Sequence, residues 1–349
     1  MKAFRLVAWG QPPEFVDVAR PDPGPGEVLI AMRGAGLCRS DLDVMDQTPG
    51  SQPFAAVIGD GFTLGHENAG LVAGWGAGVT DMVEGEAVVV HHVRSCGHCG
   101  FCLDGVEQAC QTFARGAVTL TRGIGLDGGL AEYMVVPRHE LVKLGALSPE
   151  ESAPLTDAGV TAYRAVRSAL HCLKPGSTAL VIGLGGLGFY GVQFLRLLTA
   201  ARIIGTDRMP ERLKLAQVAG ADAVFLSDSD SQGRVMDLTG GKGADVILDF
   251  VGTDATMALA AAVSRPMGRI VLVGLGGGTM PVGWGHIATG AEFAISLGSS
   301  RSDLAEVCAL AASGKLRHEV ERFAFDDVAL AYERMRAGTL SGRAVITFD

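Results

Sequence analysis

No stretch of this chain approaches the roughly 18 uncharged apolar residues that a membrane span needs. Its opening, Met1-Lys2-Ala3-Phe4-Arg5-Leu6, has neither a long apolar core nor a small-residue cleavage site. That segment is expected to be a first strand, and the protein is expected in the cytoplasm with no membrane contact. Positive charge is also scarce: 29 Lys and Arg stand against 38 Asp and Glu, for a net charge of -9. Such a balance repels nucleic acid and anionic membranes, and excludes both as partners. Cysteines number 7, an odd count in a chain with no secretion signal, which argues against a disulfide framework. The 49 glycines show no short repeat and serve as turn punctuation. What is present, 349 residues with 48% hydrophobic and 19% charged, fits a globular enzyme of two domains, each long enough for its own core.

Two rhythms divide the chain. From Met1 to about Leu155, short β-type runs such as Glu27–Met32 and Ala87–Val90 alternate with glycine turns, as in a barrel-like all-β domain. From Thr178 the order becomes strand (Thr178–Ile182), glycine turn (Gly183–Gly188), apolar helix to about Ala201, and strand (Arg202–Asp207). Further strands are expected at Asp245–Phe250 and Arg269–Val273. That alternation predicts an α/β fold with a parallel sheet.

Four cysteines, Cys96, Cys99, Cys102 and Cys110, follow a C-x2-C-x2-C-x7-C spacing. A chain turning at Gly97 and Gly100 brings such sulfurs to about 2.3 Å from one zinc, and a closed four-sulfur site has no open position for substrate. The expectation is therefore a structural zinc. An iron–sulfur cluster is the rival reading and lacks a redox partner motif nearby. His98 is expected outside the coordination shell.

The run Gly183-Leu184-Gly185-Gly186-Leu187-Gly188 follows a buried strand, opens a helix and has an acid, Asp207, 19 positions beyond its last glycine. This is the dinucleotide fingerprint in its proper context. Gly183 allows the tight turn, Gly185 lets the backbone approach the pyrophosphate, and Gly188 lets the helix pack closely on the strand. Asp207 is expected to accept hydrogen bonds from the adenosine ribose hydroxyls and to disfavour a 2′-phosphate, so NAD is preferred over NADP; the neighbouring Arg208 works against that preference.

A catalytic metal needs about three protein ligands and one open position. The candidates are Cys38 (in Cys38-Arg39-Ser40-Asp41), His66 (in Gly65-His66-Glu67) and Asp157 (in Leu155-Thr156-Asp157-Ala158). Taken singly, a cysteine after an apolar strand is more often core and a lone histidine more often a satisfied polar side chain, and spacing does not join the three.

Those motifs together with the cysteine lobe, Gly183–Gly188 and Asp207 resemble the zinc-dependent medium-chain alcohol dehydrogenase family, of the bacterial secondary-alcohol type, over essentially the whole chain. The resemblance implies a GroES-like β-rich catalytic domain (1–155 and 296–349) around a Rossmann doubly wound nucleotide domain (156–295), with the active site in the cleft between them. It implies two zinc ions per subunit, the catalytic one on Cys38, His66 and Asp157, where many members have cysteine in place of Asp157. Glu67 would be an occasional exchange ligand, Ser40 would hydrogen-bond the substrate oxygen and pass its proton on, and Asp41 would fix the His66 ring. Arg39 and Arg343 resemble the family's pyrophosphate contacts, although each is also readable as a solvated surface charge. The family associates through the nucleotide-domain sheet, so a homo-oligomer, tetramer or dimer, is expected.

The leading expectation is hydride transfer between NAD(H) and secondary alcohols or ketones; a polyol or amino-alcohol dehydrogenase is the alternative. A zinc- and nucleotide-binding protein without alcohol chemistry, or a metal-free quinone reductase relative, is the reading from another class. The metal-free reading conflicts with the presence of Cys38, His66 and the cysteine lobe. Cys172 and Cys308 read as buried apolar thiols, His91 as structural, and His92 as either structural or the start of the substrate pocket. Trp284 could touch substrate or a partner subunit, and the loop from Gln47 to Phe62 would shape the pocket.

Overall fold

The computed structural model describes residues 1–47, 59, 61–115 and 118–349. The loop expected to shape the pocket, from Gln47 to Phe62, lies almost entirely outside the described residues. The chain divides into two compact units, Met1–Val160 with Gly298–Asp349, and Thr161–Leu297.

The first unit is built on a seven-stranded sheet. Its order is Leu141–Lys143, Ala87–Val90, Glu67–Trp75, Glu27–Gly36, Arg343–Thr347 and Val320–Ala324, with Tyr133–Pro137 also pairing with Glu27–Gly36. All pairs are antiparallel except the last two strands of the order, which run parallel. The expected first strand forms at Lys2–Leu6, between Glu14–Asp17 and Phe62–Thr63. The long strand Glu27–Gly36 serves two cores. Val28, Ile30 and Met32 pack with Val72, Val88, Val90, Met134 and Val136, while Ala35 joins Leu37, Leu42, Leu64 and the C-terminal residues Val328, Tyr332 and Ile346. A register shift between Met32 and Gly34 separates the two groups, and another falls between Leu29 and Ile30 within the first.

Its end matters for the site. Gly36 lies directly opposite Glu67 in the register, and a Cβ on Gly36 would occupy the space of the Glu67 carboxylate. Only glycine lets that charged side chain cross the strand.

The second unit holds a six-stranded parallel sheet in the order Ala223–Leu226, Arg202–Asp207, Thr178–Ile182, Ala244–Asp249, Ser264–Leu272 and Glu292–Ile295. This is the doubly wound arrangement, with its topological switch between Thr178–Ile182 and Ala244–Asp249, where such sheets bind ligands at the carboxyl ends of the strands. The two strands flanking the switch on the glycine-turn side, Thr178–Ile182 and Arg202–Asp207, occupy the residues expected from their apolar runs. Two edge strands had no clear signal because they are short and only half buried. Ser264–Leu272 begins earlier than its apolar run because Pro266, Met267 at φ +63° and Gly268 break the pattern without ending the strand. The first helix stops at Leu198, short of Ala201: Thr199 turns extended and its hydroxyl donates to the Leu195 carbonyl.

Candidate active site

Cys38 ends the segment that follows strand Glu27–Gly36 and caps helix Arg39–Met45; its backbone N–H donates to Asp41 Oδ2 at 2.9 Å. His66 directly precedes strand Glu67–Trp75, and Asp157 sits between the single turn Ala153–Thr156 and helix Ala158–Ala169. The second and third of these segments are tied together. The Asn68 N–H donates to Thr156 Oγ1 at 3.1 Å, and the Ala158 N–H donates to Glu67 Oε1 at 3.2 Å. As a result Cys38, His66, Glu67 and Asp157 present ligand atoms that all lie within 4.8 Å of one another.

His66 is the hub. Its Nδ1 lies 2.8 Å from Asp41 Oδ1, and its Nε2 lies 3.5 Å from Asp157 Oδ2 and 3.3 Å from Ser40 Oγ. Burial opposes charge on the imidazole, but Asp41, Asp157 and Cys38 outweigh it and push His66 well above the ordinary histidine range. For Asp157, burial works toward neutrality and loses to His66, His92 and Arg343, which hold the carboxyl far below its usual value. A buried imidazole ringed by anionic groups is an electrostatic well for a cation. A thiolate, an imidazole and a carboxylate are the donor set zinc accepts, and the residues therefore fit the metal.

Glu67 stands differently. Both carboxylate oxygens engage the Arg343 guanidinium, with Nε to Oε2 at 3.1 Å, and burial pushes the carboxyl up to about 7 against the pull of Arg343. Arg343, expected against the cofactor's pyrophosphate, is committed to Glu67 and lies 3.5 Å from Asp157 Oδ2. Arg39 is exposed on the first turn of its helix. Sequence reasoning missed the Arg343–Glu67 pair because 276 positions separate its members. His92 is buried beside this cluster and donates from Nδ1 to the Thr156 carbonyl at 2.6 Å; His91 is buried against Ser299.

The four cysteines of the lobe form the second metal-competent cluster among the described residues. All are free thiols. Sγ of Cys102 lies 3.5 Å from that of Cys99 and 3.9 Å from that of Cys96. A disulfide would need about 2.05 Å. Sulfurs 2.3 Å from a tetrahedral zinc are about 3.8 Å apart, which the lobe already matches. Backbone N–H groups of Cys96 and Cys99 point at Cys110 and Cys96 sulfur, each at 3.3 Å. His98 bonds the Cys96 carbonyl and stays outside the cluster. Beneath the lobe, fully buried Glu140 joins Arg94 at 2.8 Å and Arg122 at 2.7 Å, a brace with no local sequence signature.

In the second unit Gly183 takes φ +84°, and a Cβ on Gly188 would collide with the Gly183 carbonyl, so both positions require glycine. Gly185 caps helix Gly186–Leu198. Asp207 ends its strand buried, with Oδ2 accepting from Leu184 N–H at 2.7 Å and Oδ1 from Met209 N–H at 2.9 Å; Arg212 Nη1 approaches at 3.4 Å. The Asp207 carboxylate is thereby locked to the glycine turn. Cys308 is buried as expected, whereas Cys172 is only partly so.

Comparison with known proteins agrees with this geometry. Residues 24–146 match the family described as alcohol dehydrogenase GroES-like domain, and residues 186–313 match zinc-binding dehydrogenase. The chain belongs to the zinc-type medium-chain alcohol dehydrogenase family. It is 36% identical to an NAD-dependent alcohol dehydrogenase of Sulfurisphaera tokodaii, over 92% of each chain. It is 33% identical to a D-arabinose 1-dehydrogenase (NADP(+)) of Saccharolobus solfataricus, over 99% of this chain and 97% of that one. The crystal structure of an alcohol dehydrogenase from Aeropyrum pernix superposes with a TM-score of 0.90 at 34% identity, covering 100% of both. As a member of this family the chain is an oxidoreductase with a GroES-like catalytic domain and a Rossmann sheet. No described helix is long and apolar enough to cross a membrane.

Proposed function

We propose that this enzyme interconverts secondary alcohols and ketones with NAD(H), using a catalytic zinc on Cys38, His66 and Asp157 and a structural zinc on Cys96, Cys99, Cys102 and Cys110. The observation that carries the reading is the convergence of Cys38, His66 and Asp157, from three distant segments, beside the Ser40 hydroxyl. Held there, zinc would supply a Lewis acid and NAD the hydride acceptor. The chain does the rest. Ser40 Oγ, 3.3 Å from His66 Nε2, would hydrogen-bond the substrate oxygen and move its proton away. Asp41 holds the imidazole in orientation, which is what a carboxylate behind a ligating histidine does in zinc sites. Arg343 neutralises Glu67, leaving Cys38 and Asp157 as the anionic ligands, which together formally balance a dication. Asp207, beside the glycine turn, would accept the adenosine ribose hydroxyls and repel a 2′-phosphate.

A second reading, oxidation of a polyol or sugar, is favoured by the arabinose dehydrogenase relative. We also read the protein as a cytoplasmic homo-oligomer. Ile295 of the edge strand is 73% exposed and Trp284 is 93% exposed, apolar surface that supports the association reading.

Zinc per subunit, measured alongside NAD reduction with primary, secondary and polyhydroxy alcohols, tests the reading. Two zincs with secondary-alcohol turnover support it; one zinc and no turnover refute it; a preference for polyols selects the second reading.

A further inference from the structure

Among the buried polar atoms of the first unit without a hydrogen-bond partner are Asp41 Oδ1, His66 Nδ1 and the Tyr332 hydroxyl. Orphaned buried groups are rare and call for an explanation. Asp41 Oδ1 and His66 Nδ1 face each other at 2.8 Å, a contact that accounts for those two. Tyr332 remains. It lies on helix Val328–Ala337, in the C-terminal segment, with its ring stacked on Phe4 at 6.3 Å and 22°. It shares a core cluster with Leu42 and Val44 of helix Arg39–Met45. The same two helices are clamped one turn further along, where Arg336 grips Asp46 through two bonds of 2.7 and 2.6 Å. Tyr332 and Arg336, four residues apart, lie on one face of their helix, and that face looks onto the helix carrying Asp41. Burial pushes the phenol well above its ordinary range, and the negative groups of Asp41, Cys38 and Glu67 add to the rise.

Asp41 has two oxygens and three claims on them. Oδ2 accepts the Cys38 backbone N–H, and Oδ1 meets His66. A phenol brought to the same carboxylate from helix Val328–Ala337 would add a donor on its far side.

We infer that Tyr332 is a positioning residue of the metal site: its hydroxyl donates to Asp41 and holds that carboxylate against the His66 ring. The C-terminal segment thereby helps orient a metal ligand that lies about 270 positions away in sequence. The inference rests on the proposed metal role of His66 and assigns the hydroxyl a duty that packing alone does not require, since phenylalanine would fill the same space.

The test uses the zinc-loaded enzyme and its Tyr332→Phe variant, which keeps the ring against Phe4 and removes only one oxygen. Zinc release to a chromophoric chelator is followed as two steps, the four-cysteine zinc serving as the internal reference. Groups behind a metal ligand are worth 10–100-fold in metal affinity, and a residue one bond further out is expected at about tenfold. Tyr332→Phe should therefore release the Cys38–His66–Asp157 zinc about tenfold more readily and leave the cysteine-lobe zinc unchanged. In an Asp41→Ala background the same change should have no further effect, because its only target is gone. Unchanged release in Tyr332→Phe, accompanied by a higher unfolding midpoint as expected for deleting an unbonded buried hydroxyl, overturns the inference alone. An equal loss with or without Asp41 also overturns it. Wild-type enzyme that yields only one zinc removes the metal reading itself and the inference with it.

Discussion

The two metal-competent clusters of this chain contrast in how they are made. The cysteine lobe draws all its candidate ligands from residues 96–110, on one glycine-turned segment, and two of its four cysteines are only partly buried. The Cys38, His66 and Asp157 cluster draws on residues 38–157, from a helix cap, a strand start and a single turn, and it is buried with its counter-charges arranged around it. A local site needs little beyond the right spacing, because the chain between ligands is too short to place them elsewhere. An assembled site needs every neighbouring residue to fix angles and charge. The lobe's sulfurs already stand at zinc spacing, whereas the His66 site depends on Asp41, Arg343, Gly36 and Asn68, none of which ligates.

That contrast can be broken by mutation, and the largest expected effect is at Cys38. Cys38→Ser should lower kcat/KM by roughly 10³-fold, as loss of several kcal/mol of Lewis-acid stabilisation implies, and remove one zinc while the lobe keeps its own. Cys99→Ser should do the converse: one zinc lost from the lobe and a lower thermal midpoint, with the remaining folded enzyme still turning over. Metal content and NAD reduction measured on both variants decide it; equal activity loss in the two would erase the distinction.

Arg343→Ala leaves the fully buried Glu67 without its cation, and removal of one partner from a buried pair costs about 3–5 kcal/mol. Denaturant unfolding should show this cost in the first unit. A loss under about 1 kcal/mol would mean the pair is a bystander to the assembled site.

Asp207→Ala examines a second local motif. Removing the carboxylate beside the glycine turn should raise NADP use relative to NAD by about tenfold, or 1.4 kcal/mol. An unchanged cofactor ratio in steady-state kinetics would sink the assignment.

The smallest effect is at the Asp46–Arg336 clamp. Arg336 holds the Asp46 carboxyl below its ordinary value, chiefly through its hydrogen bonds. A depressed folded-state carboxyl contributes stability above the unfolded value near 3.8 and loses it as pH falls through the lower folded value. Both side chains are substantially exposed, so Asp46→Ala should cost no more than about 1 kcal/mol at neutral pH. The difference from wild type should vanish in acid, as thermal midpoints between pH 7 and 2 would show.

Much of the fold was legible because its signals are local. The glycine turn before an apolar helix, the strands Thr178–Ile182 and Arg202–Asp207, and the acid at Asp207 are set by backbone sterics and burial within about 30 residues. The edge strands Ala223–Leu226 and Glu292–Ile295 were not legible, since half-buried strands of four residues carry little apolar pattern. Cys38, His66 and Asp157 were each ambiguous alone, and only the family resemblance joined them before the structure did.

The sequence by itself determined the lobe, the nucleotide turn and the alternation of strand and helix, because steric turns, thiol spacing and hydrophobic period act between residues close along the chain. Tertiary structure alone decided that Arg343 turns to Glu67, that Glu140 joins two arginines next to the lobe, and that Tyr332 packs in one core cluster with Leu42 and Val44. Those pairings are long-range electrostatics and packing. Their energy depends on which buried charges the folded sheet and helices bring within a few ångströms, and no local pattern carries that distance.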